Sequence, residues 1–473
     1  MSKTTVLAFD FGASSGRAIK ACYDGKTLTY HEIHRFENNP YFYQDHFCWD
    51  IDELMQNVYT AIEKAGEFNS VGFDTWGVDY GLLDKNGNLV KRPVSYRDIR
   101  TRGVAKKAFE KMSAYDIYRK TGNQIMDMNT LFQLISDDLS GTEKILFMPD
   151  LFSYMLCKNA VCEQTIASTS QMFNPTDMHW QDEVLNTFGI SQNKLCTIVP
   201  SGTIIGEYKN AKVIAVAGHD TQCAVAAMPC KSKNVAFLSC GTWSLFGTEL
   251  DSPVLTKQSF DNCLSNEIGA NSKINFLKNI IGLWLIQESR REWKRQGKEY
   301  SYAELEKLAL EAQPLQCFIN PDASEFATPG DIPSRVQKFC EKTGQKVPDT
   351  VGEIMRCIYE SLAMKYRYAL MQITNITQKN FTILHVLGGG TKDKLLCQMT
   401  ANSCNITVEA GPIEATALGN IIIQLVALGK IPSIDEGRQI IANTEHIIKY
   451  YPTQSDVWEK AYNNCKKFFK EDL

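Results

Sequence analysis

Asp10-Phe11-Gly12-Ala13-Ser14-Ser15-Gly16-Arg17 joins a short apolar strand, residues 6–9, to a second extended segment through a turn almost bare of side chains. Two glycines and the three small residues between them let backbone N–H groups approach a polyphosphate closely, while Ser14, Ser15 and Arg17 add donors and a positive charge. Asp10 would repel phosphate directly, so its use in such a cradle is to hold a hydrated Mg²⁺ that bridges the phosphates. The competing reading is an ordinary hairpin turn after an edge strand, with Asp10 as a turn-forming carboxylate and Arg17 paired to an acid.

Outward from that turn the pattern is strand 18–23, an Asp24-Gly25 turn and strand 28–36, which together predict an antiparallel meander. Residues 51–65 read as a helix with Leu54, Val58, Ala61, Ile62 and Ala65 on one stripe. Residues 71–78 form a buried strand carrying Asp74-Thr75-Trp76-Gly77-Val78-Asp79. A meander followed by a helix and a strand is the opening of a ribonuclease-H-like α/β half.

After a helix-rich middle, an apolar strand at 213–217 runs into Gly218-His219-Asp220-Thr221 and a small-residue helix at 222–227. The opening theme then recurs: strand 234–240, Gly241-Thr242, a further strand, and later strand 381–387 entering Gly388-Gly389-Gly390. Matching order in the two halves points to duplication. The expected architecture is α/β, two ribonuclease-H-like domains facing a central cleft, one at 1–228 and one at 229–473. Within the second, Thr350-x-x-Glu353 is a capping box opening a long helix with Ile354, Ile358, Leu362, Tyr366 and Leu370 along its core face. Gly411-Pro412 is expected to begin a helix through 428, where Gly419 is tolerated because it permits close packing. Ser455 is expected to cap a last helix, about 455–473, that bears Trp458, Tyr462 and Phe469 and docks back.

At 473 residues the chain is too long for one core, and a net charge of -4 gives no basic field for nucleic acid or an anionic membrane. No apolar run reaches membrane-spanning length, and the opening residues lack a signal-peptide pattern. The 15 cysteines are an odd count without a CxxC pair or zinc-like spacing, which reads as reduced, mostly buried thiols in a cytoplasmic protein.

Taken in order, FGASSGR (11–17), DTWGVDYGLLD (74–84), YRDIRT (96–101), GHDT (218–221), SCGTWSL (239–245), LKNIIGLWLIQ (277–287), LGGG (387–390) and GPIEATALGN (411–420) resemble the FGGY carbohydrate kinases, of the actin-like ATPase superfamily. The resemblance spans essentially the whole chain. It implies that Ala13, Ser14, Ser15, Gly16 and Arg17 contact the phosphates of ATP, that Thr242 sits at a second phosphate turn, and that Asn279, Gln287 and Gly389 line the adenosine side. It further implies that Gly77, His219, Asp220 and Thr221 meet a sugar, with Asp220 as catalytic base and Asp10 organising Mg²⁺ through water. Cys240 departs from the small residues common before the Gly-Thr; a buried cysteine is expected to be tolerated there, with sensitivity to thiol oxidants left open.

For Asp220 the residues alone leave a choice between general base and helix cap. For His219 the choice is between orienting a sugar and a structural role. Trp76, Asp79, Tyr96, Arg97 and Asp98 offer an aromatic wall with polar edges for a ketose. The resemblance is strongest to members acting on L-rhamnulose, so the expected reaction is ATP-dependent phosphorylation of its 1-hydroxyl by a monomer or homodimer. The alternatives are a kinase for L-fuculose or L-xylulose, or a non-catalytic ATP- and sugar-sensing protein on the same fold.

Overall fold

The computed structural model describes residues 3–230 and 234–470. Two compact units are formed, one from Met1–Cys230, Glu249–Phe276 and Glu414–Glu445, the other from Lys231–Thr248, Leu277–Ile413 and His446–Leu473. Two stretches late in the chain thus return to the first unit.

In the first unit the expected meander is present as β1 (Thr4–Phe11), β2 (Ser15–Tyr23) and β3 (Leu28–Glu37), antiparallel neighbours throughout. With β4 (Ser70–Thr75), β5 (Thr203–Tyr208) and β6 (Ala211–Ala215) they make one sheet in the order β5-β6-β4-β1-β2-β3. β4 runs parallel to β1 and β6 parallel to β4, so the centre is buried on both faces and reads as continuous apolar sequence. One face carries Phe9, Phe11 and Phe73. Phe9 stacks on Phe73 at 4.8 Å, and Phe11 on Phe152 of the helix Met148–Cys157 at 4.4 Å. Alternation along the strands sends Asp10 and Asp74 to the other face, against the helix Ala415–Ala427.

The helix Ile51–Ala65 has the expected bounds and buried stripe, with Asp50 accepting a hydrogen bond from the Glu53 N–H at 3.1 Å as its N-cap. The expected helix from Gly411 instead begins at Ala415, after a turn through Gly411-Pro412. Gly419 lies in it, as the close-packing reading requires: a Cβ there would stand 1.8 Å from the carbonyl oxygen of Cys223.

The second unit repeats the plan. β7 (Val235–Cys240), β8 (Trp243–Leu250), β9 (Ile274–Ile281), β10 (Ile383–Leu387), β11 (Thr407–Ala410) and β12 (Ile448–Tyr450) lie in the order β12-β11-β10-β7-β8-β9. Apart from a seventh strand, Ser265–Ile268, beyond β9, this order matches β5-β6-β4-β1-β2-β3, including two parallel pairings beside the first strand and an antiparallel edge. The helix Val351–Thr377 opens on the expected capping box, with Thr350 Oγ1 accepting from the Glu353 N–H and Glu353 accepting from the Thr350 N–H.

The last helix, Ser455–Cys465, buries Trp458 and Tyr462, but its cap position is Gln454 rather than Ser455. The hydroxyl of Ser455 is instead bonded to Asn405, because the left-handed Gln454 turns the chain just before it. Phe469 is buried in a following 3₁₀ turn, and the expected extension to 471–473 lies outside the described residues.

Candidate functional site

At the carboxyl end of β1, Asp10 is paired in register with Arg17 on one side and Asp74 on the other. Arg17 donates from Nε (2.9 Å) and Nη2 (2.6 Å) to Asp10 Oδ2, and its remaining Nη1 meets Glu414. Burial opposes the guanidinium charge, yet Asp10 and Glu414 more than offset it and hold its pKa above the ordinary value. Arg17 is therefore committed to two carboxylates, the acid-pairing alternative of the sequence reading. The turn itself stays open. Gly12 N–H donates to the Ser15 carbonyl at 2.9 Å and Asn38 Nδ2 to the Gly12 carbonyl at 2.8 Å, while Ser14 is exposed.

Gly218-His219-Asp220-Thr221 is brought beside this turn through β4. The Thr75 N–H donates to the Gly218 carbonyl at 2.9 Å, extending the parallel pairing past the end of the sheet. Glu163, buried, clamps the segment by accepting from the N–H groups of Gly218 and Thr165, both at 2.9 Å, and from the Thr165 hydroxyl at 2.6 Å. His219 occupies the cap position of the helix Asp220–Ala226. Its Nδ1 lies 2.9 Å from Glu267 Oε2 and its Nε2 3.4 Å from Asp220 Oδ1. Burial lowers the imidazole pKa, but Glu267, with Asp220 and Glu163 behind it, raises it above the ordinary value. A Cβ on Gly77 would stand 3.5 Å from His219 Nε2, so Gly77, His219 and Asp220 share one locality.

Asp220 accepts from the adjoining Thr221, its N–H at 2.6 Å, whereas the Gln222 N–H is taken by the His219 carbonyl. Hence it is not the helix cap. Its side chain keeps 33% of its surface, yet partial burial and the charge of Asp10 outweigh His219 and push its pKa up to about 6. Asp74 is fully enclosed. Asn420 Nδ2 donates to its Oδ2 at 2.7 Å, Oδ1 has no hydrogen-bond partner, and burial with the Asp10 charge raises its pKa well above the carboxylate range. Asp10, Asp74 and Asp220 thus bring hard oxygen donors to one end of the sheet, and the orphaned Asp74 Oδ1 is the kind of atom a hydrated Mg²⁺ would satisfy.

Asp79 does not offer an edge to a sugar. It is buried and saturated by donors from Trp49 (2.7 Å), Trp76 (3.0 Å), Gln133 (3.0 Å) and the Tyr96 N–H (3.1 Å). Asp98 likewise is occupied, accepting from the Phe47 N–H at 2.7 Å and the Arg100 N–H at 2.9 Å. Asp79 holds Trp76 and the Tyr96 backbone in place, and Asp98 ties the Phe47 and Arg100 backbone together.

In the second unit, Thr242 sits in the β7–β8 turn and donates from Oγ1 to Gln287 Oε1 at 3.3 Å, while Asn279 lies in β9. Gly389 opens a 3₁₀ turn after β10, exposed, with nothing within 4 Å of where a Cβ would be. Cys240 links the two turns: its Sγ lies where a Cβ on Gly390 would be, 2.2 Å away. It is buried, as a tolerated cysteine there would be, and enclosure pushes its thiol up to about 12, which disfavours the thiolate.

Asp74, Glu163, Glu267 and Glu414 were not singled out from sequence. Asp74 alone left a local signal, an acid inside an otherwise apolar strand.

Residues 5–230 match the N-terminal domain and residues 236–428 the C-terminal domain of the FGGY family of carbohydrate kinases. A protein named rhamnulokinase from Bacteroides thetaiotaomicron is 39% identical, the alignment covering 98% of this chain and 99% of the relative. Another of that name from Bacillus subtilis is 37% identical over 95% of this chain and 96% of its own length. Among solved structures, a ligand-bound xylulose kinase from Lactobacillus acidophilus superposes with a TM-score of 0.79 at 16% identity, covering 98% of this chain and 97% of its own. Plasmodium falciparum glycerol kinase with ADP also reaches 0.79, at 15% identity and 99% of each chain. The fold is the two-domain, ribonuclease-H-like α/β architecture of these sugar kinases, as the sequence led one to expect. The duplicated sheet, the carboxylates at the end of β1 and the matches along nearly all of its length agree, and the chain belongs to the FGGY family of carbohydrate kinases.

Proposed function

We propose that the chain transfers the γ-phosphoryl group of ATP to the 1-hydroxyl of L-rhamnulose, giving L-rhamnulose 1-phosphate and ADP in the cytoplasmic breakdown of rhamnose. The observation that carries the substrate is the shared name of relatives 37–39% identical across 93–98% of the chain.

Asp220 takes the proton of the 1-hydroxyl as that oxygen forms its bond to the γ-phosphorus and the bond to the ADP oxygen breaks. Its raised pKa makes the carboxylate a better base than an ordinary aspartate while leaving it largely ionised at neutral pH. His219, held through Nδ1 by Glu267, presents Nε2 to the same locality and orients the sugar. Gly77 leaves room for the sugar beside it, and Thr221 completes this edge.

In the first unit Ala13, Ser14, Ser15 and Gly16 offer backbone and hydroxyl donors to phosphate. Arg17 serves chiefly by fixing Asp10 and contributes field rather than a free fork. In the second unit Thr242 meets phosphate, and Asn279, Gln287 and Gly389 meet the adenosine side. Asp10, through water, together with Asp74 would hold Mg²⁺. Bound there, the ion supplies neutralisation of the charge on the transferring group.

The test is the purified chain with Mg-ATP and L-rhamnulose, the product's phosphate position being read by NMR. Phosphate on C1 is expected. Phosphate elsewhere, or comparable turnover on L-fuculose or L-xylulose, would overturn the assignment.

A further inference from the structure

The helix Ala415–Ala427 turns two amide side chains, Asn420 and Gln424, toward β1 and β4, and both are fully buried. Four positions apart, they share one face of the helix. Gly72 of β4 lies against them: a Cβ there would stand 2.6 Å from Val216, 3.0 Å from Asn420 Oδ1 and 3.3 Å from Gln424 Nε2. A glycine in the middle of a buried strand is costly unless something approaches it closely, and here two amides do.

Their hydrogen bonds run in one direction. Ser70 Oγ donates to Gln424 Oε1 at 2.7 Å, and Gln424 Nε2 donates to Asn420 Oδ1 at 2.7 Å and to the Leu7 carbonyl at 3.0 Å. Asn420 Nδ2 in turn donates to Asp74 Oδ2 at 2.7 Å and to the Gly72 carbonyl at 3.2 Å. A backbone carbonyl only accepts, so Leu7 and Gly72 each fix which end of an amide faces them. Neither amide turns over without setting oxygen against oxygen. The ladder therefore ends in a donor, and that donor is aimed at Asp74.

We propose that Asn420 and Gln424 are positioning residues for the cation used in phosphoryl transfer: they occupy Asp74 Oδ2 and leave Oδ1, which has no hydrogen-bond partner, as the oxygen available to Mg²⁺ and its waters. This rests on the proposed Mg²⁺ site at Asp10 and Asp74. With one oxygen tied, the carboxyl plane is fixed and Asp74 serves the ion through a single atom. Octahedral Mg²⁺, which keeps several waters, suits that arrangement, whereas Ca²⁺ readily takes both oxygens of a carboxylate. The ladder thus acts on which ion is held as well as on how tightly. Gln424 touches no ligand atom and works by holding Asn420 Oδ1, so its loss is felt less than that of Asn420.

The test titrates the full chain with Mn²⁺ in the presence of ADP, free ion being read by EPR, and then displaces the bound Mn²⁺ with Mg²⁺ or Ca²⁺. No sugar is present, so the readout stands whether or not the L-rhamnulose assignment does. Asn420→Leu should weaken Mn²⁺ binding at least about 10-fold and shift displacement in favour of Ca²⁺ over Mg²⁺, a change of ratio that mere loss of packing does not produce. Gln424→Leu should do the same by a smaller factor, and answers the question should Asn420→Leu fail to fold. Ser70→Ala should lower the melting temperature yet bind Mn²⁺ like the parent, because the Leu7 carbonyl still fixes Gln424. Asp10→Asn should lose most of the Mn²⁺ binding. Parent-like affinity and ion preference in Asn420→Leu, with Asp10→Asn weakened, overturns the role of the ladder alone. Parent-like binding in Asp10→Asn overturns the Mg²⁺ site and this proposal with it. Equal losses in Ser70→Ala and Gln424→Leu reduce the ladder to packing and overturn it too.

Discussion

At the scale of single residues, the proposed chemistry turns on a carboxylate whose surroundings make its charge costly. Asp220 has its pKa raised to about 6, so the folded chain binds that proton more tightly than the unfolded chain does. The stabilising contribution of the protonated form is fully present below about pH 4 and is lost as pH rises through about 6. Asp220→Asn therefore should match the parent in urea denaturation near pH 4 and exceed it near pH 8, by on the order of 1 kcal/mol once solvent access to the carboxyl is discounted. The same substitution removes the proposed proton acceptor, and turnover should fall roughly 10² to 10⁴-fold while ATP still binds. In the parent, turnover should climb between pH 5 and 7 and then level. A variant with normal turnover, or a parent profile flat across that range, would exclude Asp220 as base. Cys240 supplies a converse case. With its thiol enclosed and raised to about 12, an alkylating reagent at pH 7.5 should leave it unlabelled in the native chain and label it only in denaturant, read by peptide mass.

At the scale of elements, what could be read from sequence was what is written locally. The meander, the helix Ile51–Ala65 and the capping box at Thr350 follow from alternation, a 3.6-residue stripe and a four-residue cap, all of which act within a few positions. The partners that build the site do not. Asn420 reaches Asp74 across 346 positions, Glu267 reaches His219 across 48, and Arg17 meets Glu414 because a late segment returns to the first unit. No spacing rule announces such pairs. Gly419 was legible because a glycine inside a helix has a cost that something must offset. Ala there would add about 1 kcal/mol of helix propensity. Its Cβ, however, would stand 1.8 Å from the Cys223 carbonyl, which belongs to the helix that Asp220 begins. Overpacking of this kind costs about 1 to 3 kcal/mol. Gly419→Ala should therefore lower the urea midpoint and, by shifting that helix, reduce turnover as well. A more stable variant would mean that propensity decides and the helices give way freely.

At the scale of the whole molecule, one strand order has been used twice, and the two copies have diverged in what their first turns carry. In the first unit the turn after β1 is flanked by Asp10, Asp74 and Arg17; in the second, the turn after β7 carries Thr242 beside Gln287, with no acid in register with it on β8 or β10. The proposed division of labour accords with this: proton transfer falls to the first unit and contacts to nucleotide to the second. This bears on water as a rival acceptor. Asp220 keeps a third of its surface, so solvent reaches the base in the free chain and hydrolysis of ATP without sugar is chemically allowed. On the proposed reading a bound ketose presents one hydroxyl at a fixed distance from Asp220, and orientation of that kind is worth many powers of ten in rate. ADP release measured by a coupled assay should accordingly be detectable but slow with Mg-ATP alone and rise at least about 100-fold on adding L-rhamnulose. His219→Ala should narrow that ratio by lowering the sugar-dependent rate while leaving the sugar-free rate almost unchanged. Equal ADP release with and without sugar would place the catalytic advantage in the base alone and remove positioning from the mechanism.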